Sequence, residues 1–425
     1  MKKVLVFFPH NLWPPRTGAH KRGVEMIAGL REIGCDVTLV SSTLATDNEW
    51  HSSSVQGLKT SMVKDVRVYE ATAADHKFIQ RLRKFYARDY SLVWRLRRFH
   101  PLAGKEPPLN SMLHSPPGMR RWFKTVVNDI APDAILMNYA YWDGLINHRK
   151  LNSVLRIIDT IDIISLNAQM QRAVRESLPS PLRVSGIEKH VLKESFFKTG
   201  GFVASAEEFR IYDKYDYSIA ITTQEADLIK RRARRTKVVR IPMTQQPIYL
   251  ANGFTGPALF PVGPNLFNTQ GYLYFVNRVL PRVRKEVPSF SLRVTGFYEN
   301  IIPPDPVEGV IFSGFVPELR TVYELSKFVV CPVFGGTGQQ VKIVEAMAHG
   351  VPVIALRDAA ERSPLRHGVN GLVADDAREF AEHVIRLCGD RDLCRQLGNA
   401  ARETIAAGFS RSSLLDGLSA MISPP

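Results

Sequence analysis

A lysine and a glutamate three residues apart, set directly after a glycine loop, are the side chains whose types and spacing best suit chemistry in this chain. The loop reads Gly335-Gly336-Thr337-Gly338-Gln339-Gln340 and runs into Val341, Lys342, Ile343, Val344 and Glu345. Glycines let backbone N–H groups approach a ligand closely, and a helix that opens after them aims its positive end at the same place. On that helix Lys342 and Glu345 share one stripe, while Val341, Val344 and Met347 form the apolar stripe that buries it. One turn thereby offers a cation to phosphate and a carboxylate to sugar hydroxyls. The alternative is a surface ion pair beside an ordinary loop-helix unit, and the segment alone does not choose between them. It lacks the Gly-Lys-Ser/Thr of a P-loop and the spacing of a dinucleotide fingerprint. The class of ligand has to come from the rest of the chain.

The elements needed to hold such a site are bounded by length and composition. A chain of 425 residues, 45% hydrophobic, is too long for one ordinary core and implies two α/β domains. No apolar run approaches the roughly 18 residues that span a bilayer, and the run at 4–8 stops at Pro9, too short for a signal-peptide core. Cys35, Cys331, Cys388 and Cys394 show neither CxxC spacing nor companion histidines, which points away from zinc and from a disulfide framework and fits a reducing cytosol. A formal net charge of +15 implies an acidic partner: a nucleoside diphosphate, an anionic membrane surface or nucleic acid. Residues 76–100 concentrate that charge, interleaving Arg81, Arg83, Arg95 and Arg97 with Phe78, Phe85, Tyr90 and Trp94. This is the composition of a helix lying on an anionic membrane, or of a solvated helix whose aromatic side packs on its own domain. No nucleic-acid recognition motif accompanies the charge.

Strand and helix patterns alternate from the start. Residues 4–8 read as a strand, 22–33 as a helix and 36–40 as a second strand, the opening of a doubly wound sheet. Apolar runs at 134–137, 154–158 and 218–221 extend it, giving an N-terminal Rossmann-like domain over 1–240 with a basic aromatic insertion near 76–125. Residues 241–257, rich in Pro and Gly, read as a linker. Alternation restarts with strands at 258–262, 292–295, 310–313, 328–333 and 351–356 and a helix at 269–286, a second Rossmann-like domain over 258–405. The tail 406–425 reads as a helix crossing back to the first domain. Two such α/β sheets in tandem place an interdomain cleft at their strand C-terminal ends, where open sheets bind ligands.

With these elements assembled, the chain resembles the large family of retaining glycosyltransferases of GT-B fold, group 1, which includes sucrose synthase-like and bacterial polysaccharide transferases. The resemblance rests on Pro14-Pro15-Arg16-Thr17-Gly18-Ala19-His20-Lys21-Arg22, on Phe260-Pro261-Val262-Gly263 with Asn268, on Gly314-Phe315-Val316-Pro317-Glu318 with Tyr323, and on Lys342 with Glu345-Ala346-Met347-Ala348-His349-Gly350. Asn370-Gly371-Leu372-Val373 completes it. It implies a metal-independent hexosyl transfer, with no cofactor, from a UDP-sugar or GDP-sugar donor to a glycan or lipid-linked acceptor. The setting would be cytoplasmic, at the inner face of the membrane, without nucleic acid. The catalytic set it implies is Lys342, Glu345, Arg22, His20 and Asp162. The donor-binding set is Gly18, Gly263, Gly335, Gly336, Thr337, Gly338, Gln339, Gln340, Val341 and Arg357. Two departures from the family pattern stand out: Thr337 holds the place of a glutamate, and Ile161 that of a histidine. They keep open a catalytically degenerate sugar-nucleotide-binding scaffold and a GT-B sugar-nucleotide epimerase.

Overall fold

The computed structural model describes the chain except for Arg16 and residues 46–49, 98–110, 299–300 and 423–425, and describes the backbone alone for 86–97. The basic aromatic segment at 76–100 therefore lies partly outside the described residues; its backbone is helical over Ala73–Arg97. The chain divides into two compact units. One comprises Met1–Ser165, Val203–Ile241 and Leu414–Pro425, the other Leu166–Phe202 and Pro242–Ser413.

The first unit is built on β1 (Lys3–Phe7), β2 (Asp36–Ser42), β3 (Asp65–Tyr69), β4 (Ala134–Asn138), β5 (Leu155–Asp159), β6 (Tyr217–Ala220) and β7 (Lys237–Arg240). These form a seven-stranded parallel sheet in the order β3-β2-β1-β4-β5-β6-β7. Helices cover both faces of such sheets, so central strands are mostly apolar, and all five residues of β4 are buried, Asn138 at its end included. The search for continuous apolar runs misses β3 and β7, which are edge strands and need not be apolar on both faces. β3 alternates charged and apolar residues, and β7 is capped by Lys237 and Arg240.

The second unit carries β8 (Ala258–Val262), β9 (Leu292–Gly296), β10 (Val310–Phe312), β11 (Val329–Cys331), β12 (Val353–Leu356) and β13 (Leu372–Ala374). The order is β10-β9-β8-β11-β12-β13, again parallel. The helix expected over 269–286 is three pieces: Leu266–Tyr274, a π-helical turn at Phe275–Val279, and Leu280–Glu286. Pro281, in the first turn of the last piece, has no N–H to continue the ladder, and the chain takes up the offset in the wider turn before it.

Sequence pattern assigns residues 166–202 to the N-terminal domain, whereas this segment is part of the second unit. A backbone carbonyl and a carboxylate fix it there: Gln270 Nε2 donates to Val191 O at 2.8 Å, and Tyr274 Oη donates to Glu194 Oε1 at 2.6 Å. The final helix, Arg411–Ile422, buries Leu414, Leu418, Met421 and Ile422.

In each sheet the winding direction reverses at one point, between β1 and β4 and between β8 and β11. Ligands of doubly wound sheets bind at the carboxyl ends of the strands flanking that reversal. In the second unit the loop after β8 begins with Gly263 and the loop after β11 contains Gly335–Gly338, so both glycine loops meet this condition.

Candidate functional site

The second-unit site is assembled around Asn268. Asn265 caps the helix Leu266–Tyr274, accepting from the Asn268 amide at 3.1 Å. Asn268, buried in the first turn, donates from Nδ2 to Gly263 O at 2.8 Å, pinning the loop after β8. Its Oδ1 accepts from Lys342 Nζ. The same ammonium lies 4.6 Å from the centroid of the Phe260 ring, a cation–π placement. Loss of hydration pushes the Lys342 pKa down to about 8, against the opposing pull of Cys331 and Glu345. Lys342 is thus no solvated surface group; it is a held cation at the N-terminal turn of the helix Val341–Ala348.

One turn on, Glu345 is buried, beside the buried Tyr323 phenol. Burial and the Glu345 carboxylate raise that phenol well above its ordinary range. The Tyr323 ring stacks on His349 at 4.4 Å, and His349 Nδ1 lies 2.7 Å from Glu345 O. The helix carrying Lys342 and Glu345 is therefore clamped at its far end.

Backbone geometry explains the glycines. Gly336 sits at φ +102, where L side chains are strained, and a Cβ on Gly335 would come within 2.5 Å of both Phe197 and Phe267. The loop's carbonyls face inward: Arg362 Nη2 donates to Gly335 O at 3.0 Å and Nη1 to Gly336 O, while Asp358 pairs with the guanidinium at 3.1 Å. Thr337 is buried. Gln339 is half-buried and accepts from the Met243 amide at 2.8 Å, fixing the loop's end. Gln340, the N-cap, makes no side-chain cap bond. Gly338 and Val341 are half-buried at the same turn.

Arg357 opens the short helix Arg357–Glu361 after β12. It is half exposed and forms a two-pronged ion pair with Asp375.

The first unit holds the remaining predicted residues. Thr17 caps the helix Gly18–Glu32 by accepting from the His20 amide at 3.2 Å, so Gly18 and His20 open its first turn. Arg22, 2% exposed, forks onto Asp159 through Nε at 2.7 Å and Nη2 at 2.9 Å, and its Nη1 donates to Ile241 O at 3.0 Å. Asp162 is half-buried, and its charge helps raise the pKa of Tyr139 and of Glu225. Around these lie His10, 6.0 Å from His20 between ring centroids, and Phe8, 6.3 Å from Tyr139. Tyr139 and Ile161, which follow β4 and β5, both have positive φ, at 66 and 60. A β-branched residue in that region is strained, and strain of this kind gathers at functional sites.

Sequence reasoning passes over Arg362, His10, Tyr139 and Glu225. Arg362 acts on backbone carbonyls, which leave no side-chain pattern to read. The strained pair becomes visible only with dihedral angles. Among the described residues no group of three or more His, Cys, Asp or Glu side chains is placed to hold a metal, and no helix is long and apolar enough to cross a membrane.

Two parallel sheets of seven and six strands, each with its reversal point, define a GT-B fold. Residues 257–390, which contain the whole Lys342 cluster, match the family of glycosyl transferases group 1. The chain is 34% identical over 76 residues to the lipopolysaccharide core biosynthesis glycosyltransferase LpsE of Rhizobium meliloti, covering 17% of this chain and 22% of the relative. It is 27% identical over 188 residues to the putative glycosyltransferase EpsD of Bacillus subtilis, covering 41% and 48%. The chain thus spans about half the length of the second relative and less of the first. The structure of Anabaena HepE in complex with UDP-glucose superposes with a TM-score of 0.61 at 12% identity over 100% of both chains.

Proposed function

We propose that this protein transfers a sugar from a UDP- or GDP-linked donor to a surface polysaccharide or lipid-linked glycan acceptor, with retention at the anomeric carbon. The observation that carries this reading is the Lys342 ammonium, held between Asn268 and the Phe260 ring at the start of the helix Val341–Ala348. In glycosyl transfer from such a donor, negative charge develops on the departing diphosphate, and preoriented cations and amides stabilise it without reorganising. Lys342 supplies the cation. The Val341 and Lys342 amides, at a helix end whose N-cap makes no side-chain bond, supply donors. Glu345 is suited to accept from two ribose hydroxyls. Gly263 is assigned to letting the loop after β8 approach the phosphates, and Thr337 to the donor sugar. His20 and Asp162 are assigned to the reacting sugar and acceptor. In this reading, charge on the leaving group is met by these groups rather than by a divalent ion. The match of residues 257–390 and the names of LpsE and EpsD support it, as does the UDP-glucose held by the HepE structure.

Acceptors of this class sit at membranes, and the basic helix Ala73–Arg97 is assigned to a peripheral contact with an anionic inner leaflet. Charge reversal of Arg81 and Arg83 is expected to reduce sedimentation with phosphatidylglycerol vesicles.

A second reading, a donor binder without turnover, is favoured by Thr337 in the family's glutamate place and by the commitment of Arg22 to Asp159. Calorimetry against UDP, GDP and their sugar conjugates, with Lys342→Ala and Glu345→Ala, tests the site. Release of UDP or GDP from the sugar conjugate then separates the two readings. Binding of no nucleotide overturns both.

A further inference from the structure

A cavity of about 1290 Å³ opens in the first unit where β5, β6 and β7 begin. Its walls come from the helix Pro117–Ile130, the segment 144–152, and the residues entering β6 and β7. Nine Lys or Arg side chains line it against two Asp. Both acids are already committed. Asp216 pairs with Arg156 at 2.8 Å, and Asp213 Oδ1 accepts the Arg234 and Arg235 amides at 2.7 Å each. Lys214 is also spoken for, by the buried Asp143 at 2.5 Å. Arg121, Lys124, Arg149, Lys150 and Arg235 are exposed and make no ion pair with any described acidic side chain. The cavity therefore carries a surplus of positive charge that no described acidic side chain neutralises.

Position separates this cavity from the chemistry proposed above. His20 and Asp162 follow the C-terminal ends of β1 and β5, whereas Arg156, Tyr217 and Lys237 sit at the N-terminal ends of β5, β6 and β7. Size and shape narrow the ligand. Small-molecule pockets run to about 300–1,000 Å³, so this volume suits several linked units rather than one. Leu145 and Ile146, which also line the cavity, are buried, so a flat bilayer would meet the exposed basic side chains and not the apolar lining. Nucleic acid fits poorly because the rings that line the cavity are engaged: Phe123 and Tyr215 are buried, the half-buried His148 lies edge-on to Tyr215 and 2.8 Å from Asp143, and Lys237 lies 5.6 Å over the Tyr217 ring.

We propose that this groove binds an extended acidic glycan, a chain of sugars bearing carboxylates, held away from the reacting end of the sheet. The identification of the chain as a glycan rests on the glycosyltransferase reading; the surplus charge does not. Such a groove would retain a growing acidic polymer between transfers and raise its effective concentration at the acceptor end.

The test is fluorescence anisotropy of the full-length protein with labelled hexagalacturonate, beside calorimetry with UDP as an independent report on the donor site. Combined Lys124→Glu, Arg149→Glu and Lys150→Glu should weaken hexagalacturonate binding by at least about tenfold and leave UDP binding unchanged. Reversal of the exposed Lys230 and Arg231 outside the groove should change it by less than about twofold. Neutral maltohexaose should not compete. The proposal is overturned if the control reversal weakens binding as much as the groove reversal, if maltohexaose competes equally, or if single-stranded DNA or phosphatidylglycerol vesicles displace the uronide and are themselves lost with the groove charges. Failure of UDP to bind while hexagalacturonate still does would remove the donor reading and leave the groove standing.

Discussion

Asn268 holds Lys342: its Oδ1 accepts from the lysine Nζ while its Nδ2 donates to Gly263 O, so one amide couples the loop after β8 to the cation on the helix after β11. Neither partner is replaceable without loss to the other. Asn268→Ala is expected to leave a half-buried ammonium and a loop carbonyl without this partner, lowering stability by about 1–3 kcal/mol. Nucleotide affinity should fall by about tenfold through the displaced Lys342. Denaturant unfolding and UDP calorimetry on the same preparation check both. An affinity unchanged by Asn268→Ala would remove Asn268 from the site.

The Lys342 ammonium, brought down to about 8, makes donor affinity depend on pH. A diphosphate favours the protonated amine, so affinity should decline as pH rises through about 8, with uptake of one proton on binding above that value. The sign for stability is opposite. Between about 8 and the ordinary lysine value near 10.4 the unfolded chain binds the extra proton, so this group makes the fold more stable as pH rises across that window. Lys342→Arg should abolish the pH limb of affinity, because guanidinium stays charged. Calorimetry between pH 7 and pH 9.5 in buffers of different ionisation enthalpy reads both the limb and the proton.

Much of this arrangement is legible in the residues themselves. β12 reads directly as a buried strand because Val353, Ile354, Ala355 and Leu356 are all apolar, and the spacing of Lys342 and Glu345 survives as a shared helix face. The π turn before Pro281 is foreshadowed only by the proline. What sequence cannot show is which sheet a helix packs against: the 166–202 segment joins the second unit partly through bonds to Val191 O and Leu192 O, which any sequence could offer, and partly through the Glu194 carboxylate, whose partners Tyr274 and Arg278 lie some eighty positions away. Arg362 is hidden for the same reason, since its partners Gly335 O and Gly336 O carry no side-chain signature. The charge at 144–152 and 235–237 is plain in the sequence, yet only the fold gathers those residues into one groove.

Glu225 provides a second pH signature, in the first unit. Burial, aided by the Asp162 charge, raises its pKa to about 8 against the hydrogen bonds it accepts from the Ile221 and Thr222 amides. A carboxyl raised above its unfolded value stabilises most at low pH. Between about 4.3 and about 8 the fold holds a proton that the unfolded chain has released, and stability falls as pH rises through that window. Glu225→Gln keeps the acceptor and needs no proton, so its unfolding midpoint should change less between pH 5 and pH 8 than that of the wild type. Parallel slopes in the two proteins would show that Glu225 is ionised in the fold.

Arg22 gives a prediction that separates architecture from chemistry. Its fork onto Asp159 is sealed from water, the two side chains being 3% and 0% exposed. Arg22→Ala would leave Asp159 buried without its countercharge, a change that costs about 3–5 kcal/mol. The loss should appear in denaturant unfolding of the first unit, and UDP affinity at the Lys342 cluster should be retained wherever the protein is folded. Arg22→Met/Asp159→Leu, which removes both charges together, should recover most of the stability. Recovery of stability without recovery of sugar transfer would assign Arg22 or Asp159 a part in the reaction; recovery of both would make the pair a structural brace between the helix Gly18–Glu32, β5 and the chain at Ile241.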